Sequence, residues 1–532
     1  MRKNWFNRSL PLPKVKRSMS DLGEDRIQTM ALSRLCPIGI QECLPKDLHM
    51  FSHDSFLRLA PLKYPILQNL HVNLSSFFVP SRLILGEENA AELFNGMTPS
   101  EALIPKLVLS ASYSSPDYYG EPNNVPDYYG IQVDDANFGE DIVIDDPIPF
   151  FDYILIVRDY FLDEVLEAGL YTDLTNLLDK YKETPLGGTC TIGASSAEYE
   201  VAQKMFTCFQ VNKDRDYFSS ARPTAQTGDD VYILPEYPML DSSAASPEDI
   251  DWEDTAQFPA QIGIGADKKA FAGLYLDDGS DADFHVSFNT TVRDLFTRMA
   301  YQRLKNVSQN FGTRYNEFLA GNFGVVNQDV RLQRPECVGR SKGNFQISEV
   351  IQTSASESSS PLGGYAGRGI GAKRTRNFRY FCNEHGFLIH LVSVVPTNGY
   401  MSGAPRWLFK TNGLDFALPQ FNNVGEQPVY KGELYYNPQD PDSNFSDFGY
   451  QSRYSEYRSG RNYASAGMRQ SPFTAWHLYE QYDDSVALTP EFIKASDSNR
   501  IFNLDDPTSA QNIVGIFKSY HLAFRPISNN PK

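Results

Sequence analysis

Cysteine is scarce in this chain, with six in 532 residues. That is too few for a disulfide scaffold, and a reducing compartment fits best. Long apolar runs are missing too. The longest, near Phe387 to Val395, is broken by His390 and Ser393. It is too short to span a bilayer, so no membrane insertion is expected. The basic N-terminus lacks an apolar segment of secretory length. Glycines cluster at 363–371, but G-x-x-x-x-G-K-[ST] is absent, and the run reads as a turn or linker.

The small histidine set gives no catalytic constellation. His385 and His390 are five apart on a strand, which points them to opposite faces. His477 follows Trp476 in a segment without G-x-S-x-G. Carboxylate pairs abound in acidic loops, where nothing supplies the low-dielectric wall that raises one pKa. The best metal candidate is Cys36, Cys43, His49 and His53. His49-x-x-x-His53 has ligand spacing, but the two cysteines are too widely spaced for a normal knuckle, and Pro37 and Pro45 extend the segment. These are expected to be buried thiols and strand histidines, with no metal and no cofactor.

What is abundant is aromatic and charged. Hydrophobic residues make up 41% of the chain, enough for a large core. Phe and Tyr number 35 and 30, and Tyr in such numbers suits half-buried surfaces. The net charge is -18, but it is unevenly spread. Residues 1–20 hold Arg2, Lys3, Arg8, Lys14, Lys16 and Arg17 without an acid, and 1–30 read as a mobile basic arm. Residues 117–146 hold nine acids and no base, and repeat Pro-Asp-Tyr-Tyr-Gly at 116–120 and 126–130. Residues 226–285 hold fourteen acids against Lys268 and Lys269. A charge run is usually a solvated face, and both stretches read as insertions, at 111–147 and 223–286, in one scaffold spanning 31–532.

A second basic stretch contains Arg368, Lys373, Arg374, Arg376 and Arg379, interleaved with Tyr365, Phe378, Tyr380 and Phe381. Cations on a flexible arm suit phosphate contact without sequence reading, and aromatics beside cations suit base stacking. The bland alternatives are a solubility tail and a surface loop.

The patterning is mostly β. Residues 70–79 and the apolar run 386–395 read as strands, the second covered on both faces. Residues 513–525 alternate, with Ile516, Tyr520, Leu522 and Phe524 on one face. Helices are predicted after Pro149 and from about Thr291. Few strands with long connections fit a mainly β antiparallel sandwich.

A series of short segments then carries a resemblance. They are Pro37-Ile-Gly-Ile-Gln-Glu42, Phe77-Phe-Val-Pro80 with Arg82-Leu83-Ile84, and YILIVRDYFLDE at 153–164. Asp216-Tyr-Phe-Ser-Ser-Ala221, Phe311-Gly-Thr-Arg-Tyr315 and Arg331-Leu-Gln-Arg-Pro-Glu336 follow. Glu384-His-Gly386, Phe448-Gly-Tyr-Gln451, Arg453-Tyr-Ser-Glu-Tyr-Arg458 and Trp476-His-Leu478 come last. In this order the chain resembles the major capsid proteins of microviruses, of the gokushovirus branch, over about residues 35–480. The acidic insertions and residues 480–532 depart from that pattern.

The resemblance implies an eight-stranded antiparallel jelly roll and no catalysis. It implies pentamers and a T=1 icosahedral shell around circular single-stranded DNA, assembled in the host bacterial cytoplasm. A small basic DNA-packaging protein, a minor pilot protein and a host surface receptor would be its partners. The arm cations, with Lys373, Arg374 and Arg376, would then face DNA inside the virion. The insertion at 223–286 would form a host-contact protrusion carrying Trp252, Asp254, Lys268, Lys269 and Asp277. The rival readings are a secreted or surface-layer β-sandwich that binds carbohydrate, and a hydrolase on a β scaffold. The first lacks the expected signal sequence, and the second lacks a catalytic set.

Overall fold

The computed structural model describes residues 17–94, 103–110, 123–131, 141–193, 195–225, 299, 301, 333–351, 365–421, 425–482, 486–503 and 511–527. The chain divides into two compact units. One joins Met1–Ala225 to Arg331–Lys532, and the other is Gln226–Val330. In the second unit only Met299 and Tyr301 are described, both helical and exposed. The rest of the helix predicted from about Thr291, and the acidic stretch 226–285, lie outside the described residues.

The first unit is mainly β. Its opening strands are β1 (Ser18–Asp21), β2 (Glu24–Met30), β3 (Cys36–Cys43), β4 (Leu48–Leu59) and β5 (Leu70–Pro80). A small separate sheet holds β6 (Lys106–Leu109), antiparallel to β7 (Ile142–Ile144) and parallel to β8 (Thr189–Ile192). Then come β9 (Glu336–Ile351), β10 (Tyr365–Arg374), β11 (Phe378–Phe381) and β12 (Gly386–Pro396). A hairpin-like pair, β13 (Glu426–Tyr430) and β14 (Asp447–Ser452), precedes the last strand, β15 (Ile513–Arg525).

The main sheet runs β1-β15-β4-β10-β9-β5-β12-β3, with β2 also on β15 and β11 also on β4. Every pairing in it is antiparallel. β4 and β12 are separated in this order by three strands. Even so, the rings of His53 on β4 and His390 on β12 lie 4.2 Å apart. The sheet therefore curls until its two halves face each other. A curled antiparallel sheet with an eight-strand path, long connections and few helices is the mainly β architecture expected, and is consistent with a jelly roll.

Packing follows the patterning. The predicted strand 386–395 is β12, and nearly all of its side chains are buried, as its unbroken apolar run requires. The helix predicted after Pro149 is Ile148–Tyr160, with that proline in its first turn, where a missing N–H costs nothing. This helix is buried nearly all round, through Phe150, Phe151, Tyr153, Ile154, Leu155, Ile156 and Val157. Tyr153 anchors it, donating to the Leu35 carbonyl at 2.8 Å and accepting from the Phe209 N–H at 3.0 Å.

β15 departs from the simplest expectation. The face carrying Ile516, Tyr520, Leu522 and Phe524 is the outer one, with Tyr520 53% exposed. Inside are Ile513, Phe517, His521 and Ala523. Close approach of β4 explains this, since a Cβ on the inward Gly515 would lie 2.4 Å from Leu57 Cδ2. Gly515 and Ala523 leave room on the inner side for Leu57, Ile513, Phe517 and His521, and Ile516, Tyr520 and Leu522 face out.

Candidate nucleic-acid interface

The outer face of β15 is continuous with those of its neighbours. Ile516 lies opposite Phe56 on β4 and Ile27 on β2, and Leu522 lies opposite Met50. Met50, in turn, lies opposite Arg379 on β11. Ile27, Met50, Phe56, Ile516, Tyr520 and Leu522 all leave apolar surface open to solvent.

Cations are threaded through this apolar surface. The Arg374 guanidinium sits 5.6 Å from the centre of the Tyr520 ring, and Arg58 lies 5.2 Å from that of Phe56. Arg17 lies 5.2 Å from the Phe381 ring. Arg368 shares the outward parity of Arg374 on β10, and Lys518 is outward on β15. Two ion pairs cross the face, Arg374–Asp54 at 3.4 Å and Lys518–Asp25 at 3.3 Å. The exposed Lys518–Asp25 pair contributes about 1 kcal/mol or less, so a phosphate can replace its carboxylate at little cost. Cations beside exposed aromatic rings make a surface that can hold a phosphate backbone and stack bases.

Some of the residues picked from sequence meet here and others do not. Arg374 and Arg376 are exposed, and Arg17 immediately precedes β1, so within the arm read as 1–30 the segments Ser18–Asp21 and Glu24–Met30 are strands paired with β15. Lys373 is on the other side of β10, half-buried, its stem against Gly343. It pairs with the inward Ser55, so strand alternation separates it from Arg374. Arg2, Lys3, Arg8, Lys14 and Lys16 lie outside the described residues, as do Trp252, Asp254, Lys268, Lys269 and Asp277. Sequence reasoning missed Arg58, Phe56 and Lys518. Parity on β4 would have placed Phe56 and Arg58 on one face, but only strand pairing sets them beside Ile516 and Val514.

Of the four residues weighed as a metal set, Cys43 and His49 stay together beside Cys382, while Cys36 and His53 separate from them. Cys36 and Cys43 stand at opposite ends of β3. Cys36 neighbours Cys208, and Cys43 neighbours Cys382. His53 packs against His390 and not against the cysteines. His385, expected to diverge from His390, stacks on Phe94 at 4.1 Å, while His390 faces Phe51 and His53 inside the sheet. His390 Nδ1 lies 2.8 Å from the Ser76 hydroxyl. His477 Nε2 lies 3.0 Å from the Met468 carbonyl. The Ser76–His390 pair is sealed inside the sheet, each residue about 3% exposed, where no substrate reaches it. Among the described residues, no helix is long and apolar enough to cross a membrane.

A curled antiparallel β scaffold with a broad cation-and-aromatic face is suited to act through its surface. The chain belongs to the capsid protein (F protein) family, whose family model matches residues 9–529. It is similar to capsid protein VP1 of Chlamydia phage 1, at 26% identity over 93% of this chain and 91% of that protein. It is 28% identical to capsid protein VP1 of Bdellovibrio phage phiMH2K, over 88% and 86% of the two chains. Capsid protein VP1 of Spiroplasma virus 4 matches at 24% identity, over 91% and 89%. The microvirus resemblance of the sequence thus holds across nearly the whole chain. This is a major capsid protein, a structural protein rather than an enzyme, and as such it assembles into a shell and forms part of the virion.

Proposed function

We propose that this protein forms pentamers and a T=1 icosahedral shell around circular single-stranded DNA, with the outer face of β15, β4 and β10 turned towards the genome. The observation that carries this reading is the Arg374–Tyr520 contact within an exposed row of cations and rings. Arg17 at the edge of the same face supports it, because the six cations of the arm are then delivered to one surface. A shell enclosing phosphate favours inward cations and outward acids. The acidic insertion at 223–286 accordingly faces outward and forms a protrusion that contacts a host surface receptor through residues such as Trp252, Asp254, Lys268, Lys269 and Asp277, whereas the stretch 111–147 is anchored in the core through Val125, Tyr128 and Ile144. Assembly takes place in the host bacterial cytoplasm, and a small basic packaging protein and a pilot protein complete the particle.

Negative-stain microscopy and size-exclusion chromatography of expressed protein test the assembly. Pentamers and shells of T=1 size are expected, and shells of another size or symmetry would reject that assembly. The inward face is tested by joint substitution of Arg58, Arg374 and Arg379 by Ala. Particles should assemble, yet retain less DNA and release it at lower salt. Unchanged DNA content and salt resistance would reject this orientation.

A further inference from the structure

We propose that Cys43, His49 and Cys382 form a buried zinc site that ties the end of β3, the start of β4 and the link between β11 and β12. The three residues are each 0% exposed. One donor atom from each lies within 4.8 Å of those of the other two. Zinc holds sulfur at about 2.3 Å and nitrogen at about 2.0–2.1 Å, so its ligand atoms stand roughly 3.5–4 Å apart. The observed cluster needs a contraction of about 1 Å or less to reach that geometry.

The surrounding backbone holds the donors in place. Cys43 lies opposite Gly386 across β3 and β12, and His49 lies opposite Tyr380 across β4 and β11. Cys382 is pinned to the intervening turn from both sides. The Lys46 N–H donates to its carbonyl at 2.8 Å, and its own N–H donates to the Asp47 carbonyl at 2.9 Å. The Leu44 N–H donates to Asp47 Oδ2 at 3.0 Å, which closes the turn.

A second observation points to a cation. His49 Nδ1 is engaged with His521 Nε2 at 2.8 Å, while His49 Nε2 is buried without a hydrogen bond. Asp47 Oδ1 is likewise buried and unpaired. Asp47 Oδ2, 3.4 Å from His49 Nε2, is a further oxygen donor beside the cluster, and Arg525 stands 3.1 Å from it. An orphaned buried ring nitrogen is costly, and a metal would satisfy His49 Nε2. His521 would then orient the ligand ring from behind, as outer-shell partners of zinc histidines do. Two sulfurs and an imidazole form a soft set that favours zinc over magnesium or calcium.

The test uses full-length protein purified from cells grown with added zinc. Elemental analysis should find close to one zinc per chain. Cys36→Ser should keep it, and Cys43→Ser or Cys382→Ser should lose it. Should those variants fail to fold, cobalt(II) added to chelator-treated wild-type protein should give thiolate-to-cobalt charge-transfer absorption. Wild-type protein that takes up neither zinc nor cobalt overturns the proposal. So does a Cys43–Cys382 disulfide in protein purified without oxidant, or zinc kept undiminished by both cysteine variants.

Discussion

His53 and His390 meet ring to ring inside the curled sheet, each about 3% exposed, and burial decides their charge. Burial, then the nearby His521, lowers His53 to about 4. Burial, with repulsion from His53, His521, His49 and Arg26, holds His390 well below the ordinary histidine range. Above about pH 6.5 both are neutral in the folded and unfolded chain alike. As pH falls from there towards about 4, the unfolded chain binds protons that the folded one excludes. Stability is therefore present at neutral pH and lost through that window, at about 1.4 kcal/mol per pH unit for each histidine. Thermal unfolding followed between pH 7 and 4.5 should show the fall, and His390→Gln should make it shallower. A slope that His390→Gln leaves unchanged would mean other groups control acid sensitivity.

Within single elements, the two faces of β15 respond differently. Phe517, 2% exposed, should cost about 3–5 kcal/mol when truncated to Ala. Ile516, 37% exposed, should cost the isolated subunit only about 0.5 kcal/mol. Denaturant midpoints of the two variants check the assignment, and equal losses would place the faces wrongly. The pairing of β12 with β5 gives a sharper case. A Cβ on Gly386 would lie 2.2 Å from the Val79 carbonyl oxygen, which belongs to the backbone and cannot swing aside. Gly386→Ala should destabilise by about 1–3 kcal/mol or more. Gly460→Ala, with open space around it, should match the wild-type denaturant midpoint.

For the whole molecule, the balance of charge is the governing quantity. Fourteen acids against two bases lie in 226–285, while residues 1–20 carry six cations and no acid. Beside packaged phosphate, such a stretch would be repelled, with screening only beyond about 8 Å at physiological salt. The division of the chain into Gln226–Val330 and the remainder makes the insertion a candidate for removal. Replacing 223–286 by a short Gly-Ser bridge should leave assembled particles that adsorb poorly to host cells. Failure of the remaining subunit to fold, seen as loss of soluble protein and of strand signal in circular dichroism, would count against a dispensable protrusion.

The sequence alone determined the β character, the buried strand at 386–395, the helix near Pro149, the segregation of charge and the family. Each of these rests on local pattern or on motif order, which a linear chain carries in full. The tertiary structure decided what pattern cannot. Alternation says that Ile516 and Tyr520 share a face of β15, but not that the face looks outward. The packing of Phe517 and His521 into the curled sheet, with the His521 ring 5.5 Å from that of Phe51, settles that. Arg374 and Tyr520 are far apart in the chain and meet because β10 and β15 both flank β4. Cys382 reaches Cys43 and His49 for the same reason, since strand pairing brings β11 and β12 to the ends of β4 and β3. Side-chain chemistry is written residue by residue, whereas its neighbours are chosen by the register of strands that the sequence does not spell out.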